Sequence, residues 1–263
     1  MPEKCPMLLL IDAGNTRVKW ACIPLTAPLQ FPPAWQALTS VSHQDIEQLA
    51  FAIASYHIVR CKISNVAGPA MQQTLERLVL SAFPAAQLEW FNAADPVKGV
   101  QNHYREPAKL GADRFASAIA AHHRFPDVDL VVATCGTATT IDAITTQGDF
   151  LGGMILPGLQ LMASALAKNT AQLPQIALHF DLQDLFANHT DQAIASGCMH
   201  AQIGAMLCAV KDLERKRGRA VQLVISGGAA PYLLPQLKQC QQFVWQEVEN
   251  LVLTGLWIVA KSS

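Results

Sequence analysis

The sequence predicts an α/β protein of two similar domains, residues 1–125 and 126–263, and three observations carry that expectation. Residues 8–23 and 130–144 repeat one pattern: a short apolar strand, a small polar turn containing glycine, and a second strand-like run. The two turn glycines, Gly14 and Gly136, lie nearly half of the 263-residue chain apart, and alternating helix and strand patterns follow each hairpin, as in a duplicated unit. A hydrophobic content of 51% is enough for two cores of about 125 residues each.

In the first half, Leu8 to Ile11 form an unbroken apolar run, the length of a buried strand. The run breaks at Asp12, Ala13, Gly14, Asn15 and Thr16, and a strand-like pattern resumes with Arg17, Val18 and Lys19. Gly14 lets the backbone approach a ligand closely or take a positive φ, Asn15 tolerates the same region, and Thr16 adds a hydroxyl donor. Such a tip can hold a phosphate, although the same residues also make an ordinary tight turn. Asp12, leaving the end of a buried strand, is placed to hold Mg²⁺ directly or through water. Lys19, on the returning strand, can reach a phosphate oxygen as a point charge.

A third strand is expected over 35–39, then a helix over 44–56 with Ile46, Leu49, Ala50 and Ile53 on one face, and a strand over 58–63. A helix over 69–83 and a strand over 87–91 follow, and a long polar connection leads to a helix over 112–123. The second half reads as strands near Leu130, Thr139 and Phe150, a helix over 159–168, a long amphipathic helix over 191–217 and a strand over 221–225. A helix after Gly228, a short strand around Phe243 and a last helix over 247–260 complete it. This order places the two domains across a cleft, with each polar tip pointing into it.

Nineteen Lys and Arg against twenty Asp and Glu give no field that would attract a nucleic-acid backbone. The basic run 215–219 reads as the end of an exposed helix, where cations suit the dipole and Gly218 stops the helix. Seven scattered cysteines, an odd number without a C-x-x-C pair, fit free thiols in a reducing cytoplasm. Cys198 and His200 are two apart on an expected helix and face different directions, which disfavours a shared metal. No charged-then-apolar leader begins the chain, and the apolar stretch 251–260 is too short to span a bilayer. A soluble, cytoplasmic protein with neither a membrane nor a nucleic-acid partner is expected.

Between the halves, Gly111, Ala112, Asp113 and Arg114 begin a helical run. Asp113 there can cap the helix and complement its dipole, or it can act as a general base for a substrate hydroxyl while Arg114 binds an anionic group. Further on, Gly152, Gly153, Pro157 and Gly158 form a glycine-rich lead-in to a helix, and Ser226, Gly227 and Gly228 follow an apolar strand, where a flat nucleoside could lie against the backbone.

The segments D-A-G-N-T-R-V-K, G-A-D-R, C-G-T-A-T-T-I-D, G-G-M-I-L-P-G and N-H-T-D-Q-A-I-A-S-G occur in one order and spacing across nearly the whole chain. In this the sequence resembles the type III pantothenate kinases, members of the acetate and sugar kinase, heat-shock chaperone and actin superfamily. The resemblance implies two actin-like (ribonuclease H-like) domains flanking a nucleotide-binding cleft, and phosphorylation of pantothenate by ATP with Mg²⁺ as the first step of coenzyme A biosynthesis. By the same likeness Asp12 to Lys19 bind the ATP phosphates and the metal, Thr137 binds ATP, and Asp113 is the catalytic base. Tyr104, Gly111, Ala112, Asp113, Arg114 and Thr190 bind pantothenate.

The chain departs from that family at Thr134, where relatives carry an Asp that holds a monovalent cation, K⁺ or NH₄⁺. A neutral hydroxyl offers no charge to the ion, so either activity depends less on it here or another group, such as Asp142 or a main-chain carbonyl, replaces the lost ligand. Asp142 on the next strand is an acidic candidate for the cleft. Ser117, where many relatives have Asn, is a milder change. The family implies a homodimer with the pantothenate pocket at its interface. The helix over 191–217 fits a role there, since it carries Ile194, Cys198, Met206, Val210 and Leu213 with the small residues Gly197 and Gly204. The alternatives are a kinase for another small hydroxyl substrate and a non-catalytic transcriptional accessory protein.

Overall fold

The computed structural model describes residues 5–170, 173–174, 185–239 and 243–262, which form two compact units. In the first unit, strands β1 (Pro6–Ala13), β2 (Arg17–Pro24), β3 (Ala37–Ser42), β4 (His57–Asn65) and β5 (Gln87–Trp90) make one sheet in the order β3-β2-β1-β4-β5. β1 pairs antiparallel with β2 and parallel with β4, so it is the central strand. Its Leu9, Ile11 and Ala13 share a core with Cys61, Ile63 and the helices α1 (Gln48–Ile53) and α2 (Pro69–Ala82). The two-residue period of a strand turns Leu8, Leu10 and Asp12 to the other face, against which α3 (Ala112–Arg124) and the C-terminal helix pack. Burial on both faces is why β1 reads as a continuous apolar run.

Helix α1 is shorter than the expected 44–56. Ser42 Oγ donates to Asp45 Oδ2 (2.6 Å) and accepts from the Asp45 backbone N–H (3.2 Å), so side chains hold residues 42–45 in a turn that delays the helix. The long connection after β5 contains a two-residue strand, β6 (Gln101–Asn102), and a single 3-10 turn at Pro107–Lys109.

The second unit, Phe125–Asn250, repeats the pairing of the first. Its strands β7 (Asp129–Cys135), β8 (Ala138–Ile144), β9 (Asp149–Pro157), β10 (Val221–Ser226) and β11 (Val244–Glu247) run in the order β11-β10-β7-β8-β9, with β7–β8 and β8–β9 antiparallel and β7–β10 and β10–β11 parallel. Strands β1 to β5 thus correspond one by one to β7 to β11. Helices α4 (Leu159–Asn169), α5 (Thr190–Arg217) and α6 (Ala230–Gln239) build a core with Val131, Ala133, Cys135 and Ile141. The glycine-rich segment 152–157 continues β9, and past Gly158 it leads into α4 at Leu159, where the sequence predicts that helix. α5 ends as expected: Gly218 takes a left-handed φ of 66° and its N–H bonds Glu214 O. Just there Arg217 and Arg219 reach the buried Asp129, at 2.9 and 3.3 Å.

Two further expectations change. The last helix, α7 (Leu251–Ser262), read from sequence as part of 126–263 and as starting at 247, packs within the first unit on α3. Residues 251–260 are all buried, and a helix apolar on every side must be covered on every side, here by α3 and the free face of the β1–β4 pair. Its start is delayed by Asn250, which has a φ of 56°. In α5, Ile194, Cys198, Met206, Val210 and Leu213 lie in the second unit's own core and are not available to a partner. Among the described residues α5 is also the one helix long and apolar enough to cross a membrane by length and composition, and half of that stretch is buried inside the unit.

Candidate active site

The first hairpin sets the geometry. Asp12 on β1 stands opposite Lys19 on β2 and Ser64 on β4, and Lys19 stands opposite Ser40 on β3. Opposed residues on neighbouring strands project to one face, so Ser40, Lys19, Asp12 and Ser64 form a polar row across the sheet. Asp12 and Ala13 belong to β1, not to the turn as the sequence pattern suggested, because they keep their ladder partners Lys19 and Val18. Ala13 and Val18 are buried in the opposite face. The tip is therefore Gly14, Asn15 and Thr16, closed by the Gly14 N–H donating to Arg17 O at 3.1 Å. Of the two roles the sequence offers Gly14, the positive φ is not adopted, and a Cβ there would meet only Arg17 O, at 3.4 Å. Glycine at 14 is thus not required by the turn itself. Asn15, Thr16 and Arg17 are exposed; Arg17 Nε donates to Ser40 Oγ (3.1 Å), and His43 Nε2 lies 2.9 Å from Gly14 O.

The start of α3 supplies the second part. The Asp113 carboxylate Oδ1 accepts the Arg114 backbone N–H at 2.8 Å, a capping contact at the first turn of α3. A Cβ on Gly111 would fall 2.6 Å from that same oxygen, so glycine leaves room for the carboxylate. Arg114 is buried, its Nη1 donates to the Tyr104 hydroxyl at 3.1 Å, and its guanidinium carbon lies 5.6 Å from the Tyr104 ring centroid. Tyr104 is held by Asn102, whose Oδ1 accepts the Tyr104 N–H (2.9 Å) while its Nδ2 donates to Ala93 O (2.9 Å) and Pro107 O (3.2 Å). Sequence reasoning did not single out Asn102 or Ser64. The signal for Asn102 was its amide, which can bond two loop backbones at once; Ser64 could have been found only from strand register.

The electrostatics join the two parts. Burial pushes the Asp12 carboxyl up to about 7, the charge of Asp113 adds to the rise, and Lys19 opposes it. Burial also raises Asp113, partly offset by the Arg114 N–H and guanidinium. Asp12 Oδ1 is buried and meets no donor. A shielded carboxylate beside a second carboxylate fits a divalent cation, and a carboxylate of raised pKa can accept a proton at neutral pH.

In the second unit the equivalent row is neutral. Thr134 stands opposite Thr140 on β8 and Ser226 on β10, taking the places of Asp12, Lys19 and Ser64. The Gly136 N–H closes this tip onto Ala138 O at 3.0 Å, leaving Thr137 exposed at the apex. The neighbouring glycines are occupied by the protein's own backbone: a Cβ would lie 2.1 Å from Gly136 O at Gly158, and 2.2 Å from Cys135 O at Gly227, whose φ is 100°. Gly227 therefore allows the chain leaving β10 to lie close on the end of β7, while a Cβ on Gly228 would meet nothing within 4 Å. Asp142 is buried within the sheet, and Gly153 lies so close that a Cβ would fall 2.1 Å from Asp142 Oδ1. Thr190 is the exposed first residue of α5. Among the described residues no cluster of three or more His, Cys, Asp or Glu could hold a metal ion.

The sequence model for the type III pantothenate kinases matches residues 8–212. The type III pantothenate kinase of Herminiimonas arsenicoxydans is 50% identical over 97% of each chain. Among solved structures, a protein of Campylobacter jejuni assigned to the Baf family of transcriptional activators superposes with a TM-score of 0.61 at 19% identity, covering 97% of this chain and 98% of its own. The activator of 2-hydroxyisocaproyl-CoA dehydratase from Clostridium difficile, solved with bound ADPNP, gives 0.52 at 11% identity, covering 97% and 93%. At those identities the structural likeness speaks for the fold alone, which is the actin-like, two-sheet α/β fold.

Proposed function

We propose that this chain, which belongs to the type III pantothenate kinase family, transfers the γ-phosphoryl group of ATP to the primary hydroxyl of pantothenate, the first step toward coenzyme A. The observation that carries the reading is the pair of shielded carboxylates: Asp12 at the end of β1, flanked by Lys19, and Asp113 at the start of α3. Gly14, Asn15, Thr16 and Arg17 offer backbone and side-chain donors to the phosphates at the first tip, and Thr137 does so at the apex of the second. Lys19 neutralises phosphate charge. Asp12 Oδ1, buried and without a donor, suits Mg²⁺, which when bound to ATP offsets the charge on its phosphates.

Asp113 takes the proton of the attacking hydroxyl. Its Oδ1 is engaged by the Arg114 N–H, so its direction is set by the helix that carries it. Arg114 and Tyr104, locked together, bind the substrate's polar end. Gly111 and Ala112 let the substrate approach the helix start, and Thr190 contributes from α5. Transfer through a loose transition state relies mainly on positioning and charge. For K⁺ or NH₄⁺, the neutral Thr134–Thr140–Ser226 row is a poor fit, and a weak cation dependence follows from it.

A two-fold homodimer is part of this reading. Its support is the exposed stripe of small residues on α5, Ala193, Gly197, Ala201 and Gly204, where a helix of a second copy could approach closely. Sedimentation of the wild type as a dimer, and of Ala201→Arg as a monomer, checks it. Free thiols at the described cysteines support a cytoplasmic location. The activity is tested by ADP release from ATP and Mg²⁺ with pantothenate against a panel of other small primary alcohols. Release with pantothenate alone is expected; release with another alcohol in preference would reassign the acceptor, and no release with any would favour a non-catalytic protein.

A further inference from the structure

Ser64 is the penultimate residue of β4 and is fully buried, and its Oγ meets no hydrogen-bond partner. An interior hydroxyl without a partner is costly, and alanine would fill nearly the same volume without that cost. Its position gives the reason for a hydroxyl there. In the parallel β1–β4 ladder Ser64 stands directly opposite Asp12, whose Oδ1 is likewise buried and unpartnered. Opposed residues on neighbouring strands share a face, so two unsatisfied oxygens stand side by side, with Lys19 flanking Asp12 on the other strand and the charge of Asp113 felt at the same place. A third such oxygen, Ser117 Oγ, sits on α3 one turn beyond Asp113, on the helix that packs against β4. The opposed buried oxygens of Asp12 and Ser64 are acceptors left for a cation or for the water that a cation carries. In the second unit the equivalent of this pair is Ser226 beside Thr134, a hydroxyl beside a hydroxyl, so only the first unit sets a serine next to a carboxylate.

We propose that Ser64 is a positioning residue of the phosphate site: its hydroxyl joins Asp12 Oδ1 in holding the oxygen shell of the divalent cation that accompanies ATP, directly or through one of the ion's waters. The assignment rests on the reading of Asp12 as the metal-holding carboxylate. The neutral hydroxyl adds a ligand without adding charge, and it fixes the direction in which the Asp12 carboxylate presents its oxygen.

The test uses Mn²⁺ as the probe, titrated by electron paramagnetic resonance into the full-length protein with a non-hydrolysable ATP analogue, for wild type, Ser64→Ala and Asp12→Asn. Thermal melting without metal or nucleotide runs alongside. Ser64→Ala is expected to weaken Mn²⁺ binding about tenfold while leaving the metal-free Tm unchanged or higher, since the variant removes an unpartnered buried group. A serine with a purely structural role would give the reverse, a lower Tm with intact Mn²⁺ affinity, and that result overturns the proposal. Mn²⁺ binding retained in Ser64→Ala but weakened in Asp12→Asn overturns the role of Ser64 alone. Binding retained in both overturns the reading of Asp12 on which it rests.

Discussion

Gly255 of α7 rests on the main chain of Ala116 in α3: a Cβ on Gly255 would fall 2.0 Å from the Ala116 carbonyl oxygen and 3.0 Å from its Cα. Neither backbone can yield without moving its helix, and α3 is the helix that begins with Asp113. Gly255→Ala should therefore force the two helices apart, at a cost of about 1–3 kcal/mol for an overpacked core site. Urea denaturation reads the loss. Because the shift is carried to the start of α3, turnover should fall as well, even though Gly255 lies in no part of the proposed site.

The protonation of Asp12 gives a pH signature. Burial and the charge of Asp113 raise its carboxyl from 3.8 to about 7, so the folded protein holds that proton more tightly than the unfolded chain does. The stabilisation from this group is complete below 3.8 and is lost as pH rises through about 7. Asp12→Asn has no charge to bury. Its metal-free Tm should gain on the wild type between about pH 4 and about pH 7, by roughly 10 °C or more in all, and the gain should then level off. Thermal melting across that range checks it; a difference that does not change with pH would contradict the raised Asp12 carboxyl.

What could be read in the sequence was what local pattern encodes. The two hairpins, the order of strands and helices and the segments around Asp12 and Asp113 were legible because apolar runs and glycine breaks mark them directly. The destination of α7 was not, since a helix apolar all round shows no face and so does not say which sheet it covers. The same ambiguity misplaced Ile194 and Met206, which look like surplus surface in sequence yet close the core of their own unit. The strand character of 152–157 was hidden because glycine is a poor strand former, whereas here Gly153 is needed so that β9 can lie against Asp142. Ser64 stayed silent for another reason: only the register of β1 on β4 brings it to Asp12.

The neutral row in the second unit predicts how the protein responds to salt. Thr134, between Thr140 and Ser226, supplies hydroxyl dipoles where a carboxylate would supply a charge, and a weakly held ion loses hydration without a strong partner. Activity should depend little on KCl when compared with a bulky organic cation at matched ionic strength, and Thr134→Asp should introduce a saturable response. Strong saturable activation of the wild type, not increased in Thr134→Asp, would show that other groups hold the ion.

In the proposed reaction Asp113 serves a hydroxyl acceptor to which Asp12 and the first hairpin tip present a phosphoryl group. The most direct measurement is product analysis by ³¹P NMR after incubation with ATP, Mg²⁺ and pantothenate, for the wild type and for Asp113→Asn with ATP affinity measured in parallel. The predicted result is phosphopantothenate bearing its phosphate on the primary hydroxyl, formed roughly a hundredfold or more slowly by Asp113→Asn while ATP binding is kept, the usual scale for a positioned general base. No phosphopantothenate from the wild type would contradict the proposed reaction, and an Asp113→Asn variant that forms it at the wild-type rate would contradict the role of Asp113 as its base.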